Sequence, residues 1–235
     1  MKELSLERVT GLVSVVTANH DYGRYLVEGL ESLRLQTYSQ LEVVIVDDYS
    51  RDDSASLVRD WLAARRPDFP VFFHELPRNC GYAWAMNVGI SLANGEFIAF
   101  QDADDLSHPE RLARQVAWFG SNADGGLVGT NYTAFDDGRF DQQRRAFWLK
   151  YGDDIPAHYK ANAHCVSTGT AMVRGSVIDR LGPFNRRYPG AEDYELVARI
   201  VGAGYLVDNL HEVLYHNRCH PGKRSHLYYG KAEKS

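Results

Sequence analysis

The sequence predicts an α/β domain with a mostly parallel central sheet. Two observations carry that class. Short apolar, β-branched runs alternate with helical periodicities through the first 120 residues. The connections between them are short, which implies a parallel sheet covered on both faces. Leu12–Thr17 reads as a buried strand. Leu26, Leu30 and Leu33 recur at i, i+4 and i+7, one face of the next helix. Leu41–Val46 is a second strand, ending at Asp47-Asp48. Val58, Trp61 and Leu62 mark a second helix, stopped before Pro67, and Val71–Phe73 a third strand. Gly81–Leu92 reads as a helix with Asn94-Gly95 as its C-cap. Glu96–Phe100 is a fourth strand, running into Gln101-Asp102-Ala103-Asp104-Asp105. Ser107 and Glu110 have capping-box spacing, with Pro109 in the first turn. Leu112, Val116 and Phe119 give the following helix its buried face.

The second half is less regular. Leu127–Phe135 reads as a strand, with a turn at Asp137-Gly138. Residues 139–165 are polar and aromatic without a clear period. Thr168–Val173 is strand-like, and Gly175–Leu181 is a helix stopped by Gly182-Pro183. A last helix spans Glu192–Val201, with Tyr194, Val197 and Val201 on one face. Leu206–Val207 and Val213–Tyr215 are late strands, and Lys231–Ser235 a frayed tail. No linker separates two domains, so residues 1–235 are expected to form one.

The chain has 235 residues, a net charge of −5, 44% hydrophobic and 24% charged residues. That composition excludes disorder, and the acidic balance argues against a nucleic-acid surface. No apolar run approaches the ~20 residues that span a bilayer, and Met1–Thr10 lacks a signal-peptide core. Cys80, Cys165 and Cys219 lie far apart without a CxxC. They suggest free thiols in a reducing compartment, hence a cytoplasmic location.

Both acidic clusters fall at strand carboxyl ends, where ligands of open α/β sheets sit. Asp102 and Asp104 form a DxD pair just after a buried strand. Two carboxylates there are costly unless a positive charge compensates them, and Mg²⁺ or Mn²⁺ with substrate phosphate is a natural partner. The bland alternative is a solvated, helix-capping turn. Asp47-Asp48 suits hydrogen bonding to a ribose or base, or else caps the helix near Ser54. Glu192-Asp193 opens a helix, where the dipole favours acids; in a cleft, one of them suits a general base.

Four segments in order sharpen the choice: VSVVTANHDYGRYLVEGLESLRLQTYSQLEVVIVDDYSRDDS, NCGYAWAMNVGISLANGEFIAFQDADD, GTAMVRGSVIDRLGPFN and GAEDYELVARIVGAGY. With them the chain resembles an inverting, family 2 (GT2-type) glycosyltransferase of the GT-A fold, from about Leu12 to about Ser225. The resemblance implies a donor-binding half (about 10–120), an acceptor and catalytic-base half (about 121–226) and a tail (227–235). It places Thr17 and Asn19 beside the nucleotide base, although the usual aromatic is absent there. It assigns Asp48 to the base or ribose. Gly81 to Asn87 would cover the nucleotide, with Met86 where the family often has Arg. It makes Asp104 the direct metal ligand and puts Asp102 nearer the ribose. It makes Asp193 the base of a single displacement, with Glu192 orienting it or the acceptor. His220 is matched to a metal or phosphate contact, in competition with His216 and His226. Arg218, Lys223 and Arg224 are matched to diphosphate screening.

Trp84, Trp148, Tyr151 and Tyr159 are candidates for stacking on sugar rings. His164 and Asp154 are acceptor-site candidates by position. The implied partners are a nucleotide-sugar donor, expected to be a UDP-sugar, and a glycan, lipid-linked or small-molecule acceptor, with Mn²⁺ or Mg²⁺ as cofactor. The setting is polysaccharide or glycoconjugate biosynthesis, with a peripheral contact at the inner membrane face as one way to reach a lipid-linked acceptor. Two rivals remain at this stage. A nucleotidyltransferase would need a Gly-rich, basic loop after the first strand, and Asn19 to Arg24 holds one Gly and one Arg. A noncatalytic nucleotide-sugar or glycan-binding module is opposed by the intact Asp102, Asp104 and Asp193.

Overall fold

The computed structural model describes residues 7–229, so the segments Met1–Leu6 and Lys231–Ser235 considered above lie outside the described residues. The elements follow the chain as β1 (Val9–Asn19), α1 (Gly23–Arg34), β2 (Leu41–Asp47), α2 (Ser54–Arg65), β3 (Val71–Glu75) and α3 (Tyr82–Leu92). Then come β4 (Gly95–Phe100), β5 (Leu106–Ser107), α4 (Arg111–Ser121), β6 (Gly125–Asp136), β7 (Gln143–Arg145) and α5 (Asp154–Lys160). A 3₁₀ turn (Thr168–Thr170) leads into β8 (Met172–Arg174), α6 (Gly175–Leu181), α7 (Glu192–Gly202), β9 (Leu206–Cys219) and α8 (His226–Tyr229).

One nine-stranded sheet runs through the described residues in the order β3-β2-β1-β4-β8-β6-β9-β5, with β7 on β6. The pairs β3-β2, β2-β1, β1-β4 and β6-β9 are parallel; β8 lies antiparallel between β4 and β6. β5-β9 and β6-β7 are also antiparallel, but the antiparallel ladders are short, so by length the sheet is mostly parallel, as expected. Strand alternation divides its core in two. Val16, Val44, Val46, Ile98 and Phe100 face α3, α6 and α7. Val13, Val15, Val43, Ile45, Phe97 and Ala99 face α1, α2 and α4. The α1 stripe of Leu26, Leu30 and Leu33 is buried as its spacing predicts, each side chain contributing about 1.5–3 kcal/mol. Helix α3 packs tightly on β1: a Cβ on Gly89 would sit 2.5 Å from Val16 Cγ1.

Several local expectations are corrected. Asn94-Gly95 does not cap α3; Ala93 turns extended, and Gly95 is already β4. A Cβ on Gly95 would meet the Leu12 carbonyl at 2.6 Å, so the glycine serves strand approach rather than a left-handed cap. The Ser107 capping box does not form. Ser107 lies in β5, and its hydroxyl donates to Gln101 Oε1 (2.6 Å) and accepts from Arg111 Nη1 (2.9 Å). Buried Arg111 thus claims the serine, and its Nη2 donates to the Phe100 and Gly169 carbonyls. Thr168–Thr170 is a 3₁₀ turn rather than strand. The two late strands are one, β9, pairing with β6 through register shifts. Neither Asp47 nor Asp48 caps α2: Asp52 accepts the Ser54 N–H (3.0 Å), and the N-cap residue is Asp53. The period-free stretch contains β7 and α5. Cys80, Cys165 and Cys219 are free thiols, as expected. No helix among the described residues is long and apolar enough to cross a membrane.

Candidate active site

The carboxyl ends of β1, β2 and β4 open on one side of the sheet. Asp48, 3% exposed, follows β2 and accepts N–H bonds from Cys80 (2.6 Å) and Gly81 (2.7 Å). It therefore pins the loop before α3, and a carboxylate retains lone pairs beyond these two. Gly81 enters α3 with φ +87°, a backbone that favours glycine. Asn19 is buried, its amide donating to Asp47 Oδ1 (2.7 Å), Ser50 Oγ (3.0 Å) and Ser54 Oγ (3.0 Å). Its Oδ1 has no protein partner. Thr17 is buried beneath α1, beside Leu26, Gly29 and Gln101. Asn87 exchanges two hydrogen bonds with the Phe184 backbone, 2.8 and 3.0 Å, which ties α3 to the segment before α7. Met86 lies in the core. Of the residues assigned to the nucleotide, Asp48 and Gly81 meet directly. Thr17, Asn19 and Asn87 each hold a structural position.

The DxD segment is the electrostatic centre. Tyr82 Oη donates to Asp102 Oδ1 at 3.4 Å, and Gly169 leaves room for that carboxylate: a Cβ there would stand 2.7 Å from Oδ2. Burial, and then the Asp104 charge, pushes the Asp102 carboxyl up to about 6. Burial pushes Asp104 the same way, but Lys223 and His220 outweigh it and hold Asp104 below the usual carboxylate range. His220 Nε2 stands 3.0 Å from Asp104 Oδ2, and its ring packs on Tyr25 and Tyr22. Position alone could not separate three histidines. His216 instead pairs with Thr133 and Gln143, and His226 with the Pro221 carbonyl.

Lys223 is the compensating charge beside the acidic segment. Its Nζ lies 3.6 Å from Asp104 Oδ2 and 3.5 Å from Asp105 Oδ1, and donates to Asn217 Oδ1 (3.0 Å) and the Arg218 carbonyl (2.6 Å). Fully buried Asp105 accepts from Arg218 N (2.7 Å) and Asn217 Nδ2 (2.9 Å). Burial still pushes its carboxyl up to about 8. Arg218 is enclosed between Glu28 (2.6 Å) and Asp137 (2.8 Å).

Glu192 and Asp193 open α7 and part company. Glu192, 2% exposed, accepts from Arg224 and from the Gly190 N–H. The Arg224 guanidinium also lies 4.4 Å over the Tyr82 ring, so Tyr82 and Arg224 connect the DxD segment to the start of α7. Asp193 is the accessible member of the pair, with 36% of its side chain exposed. Its Oδ1 accepts the Tyr194 N–H (2.7 Å), and Oδ2 lies 3.6 Å from His164 Nε2. Burial favours its protonation, but His164 and the Tyr194 N–H prevail, so the carboxyl stays below its ordinary value. An ionised, accessible carboxylate at a helix N-terminus suits proton removal.

Of the aromatic candidates, Tyr151 stacks on His211 at 3.9 Å, Trp84 lies under Arg186, Trp148 donates to Tyr132 Oη (2.8 Å) and Tyr159 is buried. Asp154 opens α5. The sequence reading named Lys223 and Arg224 only for phosphate screening. Tyr82 lies in the Gly81–Asn87 stretch matched to the nucleotide, but nothing in the sequence ties it to Asp102.

Asp102, Asp104 and His220 offer carboxylate oxygen and one imidazole, and the raised Asp102 carboxyl marks negative charge that a cation would relieve. That chemistry fits Mn²⁺ or Mg²⁺. No three His, Cys, Asp or Glu among the described residues are grouped to hold an ion alone.

Known proteins agree with this architecture. EpsE of Bacillus subtilis is 30% identical over 209 residues, spanning 86% of this chain and 71% of EpsE. The glycosyltransferase GlyG of Streptococcus pneumoniae is 36% identical over 134 residues, 55% of this chain and 42% of GlyG. The structure of S. aureus TarS with UDP-GlcNAc superposes with TM-score 0.73 at 22% identity over 92% of this chain, a likeness of fold. The mannosyltransferase PcManGT of Pyrobaculum calidifontis, in complex with GDP-Man and Mn²⁺, gives 0.72 at 26% identity, again over 92%. The chain spans 61% and 59% of those two structures. The sequence pattern of glycosyl transferase family 2 matches residues 14–182. With the strand-end carboxylates and GT-A architecture in place, that match shows that this chain belongs to glycosyl transferase family 2.

Proposed function

We propose that this protein transfers a sugar, with inversion, from a nucleoside-diphosphate sugar to an acceptor hydroxyl. A UDP-sugar is the first choice of donor. One observation carries the reading: an ionised, accessible Asp193 sits next to Glu192, which Arg224 and Tyr82 link to the DxD segment. Such a site can remove an acceptor proton beside a bound diphosphate. In the reaction, the acceptor O–H gives its proton to Asp193 and its oxygen bonds to the anomeric carbon. The bond from that carbon to the diphosphate breaks, and the diphosphate leaves with the electron pair. Asp48 and Gly81 form the nucleotide edge. Lys223 and Arg224 supply positive charge toward the diphosphate. Asp102, Asp104 and His220 would hold Mn²⁺ or Mg²⁺; the structure of the similar PcManGT with GDP-Man and Mn²⁺ supports the use of a divalent ion. The ion, when bound, supplies Lewis-acid neutralisation of the leaving diphosphate.

The test is Asp193→Asn. It keeps the shape of the side chain and removes the proton acceptor. Nucleotide-sugar affinity should be retained while diphosphate release on an acceptor panel falls by about 10²–10⁴-fold. Turnover at the wild-type rate would overturn the base assignment. The acceptor-binding half and a peripheral membrane contact belong to the same proposal. Acceptor-dependent binding to anionic vesicles tests that contact.

A further inference from the structure

We propose that His164 is the positioning residue for Asp193, oriented by Tyr159, so that Asp193 works within a Tyr159–His164–Asp193 chain. The proposal rests on the reading of Asp193 as base and adds the group that keeps it ionised and aimed. The three residues come from α5, the segment after it and the first turn of α7.

Tyr159 Oη and His164 Nδ1 are 2.7 Å apart, and His164 Nε2 lies 3.6 Å from Asp193 Oδ2. Tyr159 is buried, and burial pushes its phenol far above the usual value. In the proposed chain the protonated phenol is the donor and Nδ1 the acceptor. That places the imidazole proton on Nε2, the nitrogen facing Asp193, by the rule that a partner at one ring nitrogen sets the other. The ring orientation is fixed by neighbours. Trp148 lies 5.8 Å away, Tyr194 stands edge-on at 5.8 Å and Tyr159 edge-on at 5.9 Å.

An N–H aimed at a carboxylate favours its charged form. The carboxylate is then held ionised, and its remaining lone pairs are available to accept the acceptor proton. His164 acts by position and takes no proton from the acceptor. A separation of 3.6 Å is the loose spacing expected of such a pair before substrate closes the site. The other titratable groups facing this chain are the phenols of Tyr82 and Tyr194 and the Cys165 thiol, which burial pushes up to about 11. Neighbouring Glu192 is engaged by Arg224. His164 is therefore the side chain whose ring nitrogen is placed to donate toward Asp193 Oδ2.

The experiment is a carboxyl ¹³C NMR titration of Asp193 in the intact protein, which needs no acceptor. In His164→Ala the Asp193 midpoint should rise by about one pH unit. His164→Gln, whose amide N–H can replace Nε2–H, should restore it. Tyr159→Phe should move the His164 ¹⁵N signals away from the Nε2–H pattern and shift the Asp193 midpoint upward. An unchanged midpoint in folded His164→Ala would overturn the proposal, as would Gln behaving like Ala. If the Ala variant does not fold, the Tyr159→Phe spectrum decides: unchanged ¹⁵N signals and midpoint reject the chain. The base reading fails separately, through wild-type turnover in Asp193→Asn, which leaves the titration result standing.

Discussion

Lys223→Met removes the ammonium and keeps much of the apolar stem. In the native protein that ammonium sits 3.5–3.6 Å from Asp105 and Asp104 and is itself largely buried, 15% exposed. Breaking one side of a buried, hydrogen-bonded pair costs about 3–5 kcal/mol. For a domain of this size that corresponds to a melting temperature lower by roughly 6–20 °C. The cost also depends on pH, with a sign the structure fixes. Asp102 and Asp105 have carboxyls raised to about 6 and about 8, so the native state binds more protons than the unfolded chain. The stability they contribute is complete below the unfolded carboxylate value of roughly 4. It is lost as pH rises through the two native values. Lys223 opposes that loss by favouring the charged forms. Urea unfolding at pH 5 and pH 8 should therefore show a larger penalty for Lys223→Met at pH 8. Equal stability at pH 8, or a larger penalty at pH 5, would refute this account of the acidic segment.

Other variants test neighbouring parts. Gly169→Ala places a methyl 2.7 Å from Asp102 Oδ2; it should cost about 1–3 kcal/mol by urea unfolding and weaken Mn²⁺-dependent nucleotide binding in calorimetry. Asn87→Ala leaves the Phe184 N–H and carbonyl without their partners. It should cost about 1–3 kcal/mol, read as an earlier urea midpoint, and wild-type stability would show that this tie matters little. Asp48→Ala frees the Cys80 and Gly81 N–H groups, and should weaken nucleotide affinity without changing the metal requirement. Because Asp102 protonates near 6, Mn²⁺ affinity measured by calorimetry should fall as pH drops below that value, since ligands bind metal deprotonated.

The first half of the fold was legible because its signals are local. Strands such as Val43–Val46 are buried on both faces and read as continuous apolar runs, and the Leu26, Leu30, Leu33 stripe repeats at helical spacing. Failures came where a tertiary or buried partner took the group that a local rule assigns to a cap. Ser107 has capping-box spacing, yet buried Arg111 and Gln101 take its hydroxyl. Asn94-Gly95 looks like a cap, yet Asn94 engages Glu42 while Gly95 meets β1. β9 was split in two because its pairing with β6 shifts register, which interrupts the strand pattern. In the site, carboxylates were visible as clusters, but their companions were not. Lys223 lies more than a hundred residues from Asp104, and His164 falls in a stretch with no periodicity. Only the folded chain brings such groups together.

The account's central claim is a nucleotide-sugar site organised by the DxD carboxylates. Isothermal titration of UDP- and GDP-sugars into the wild-type protein and Asp104→Ala, with and without Mn²⁺, tests it directly. The prediction is saturable binding that requires Mn²⁺ in the wild type and is lost in the variant. Equal nucleotide-sugar affinity in both proteins, or binding indifferent to Mn²⁺, would contradict it.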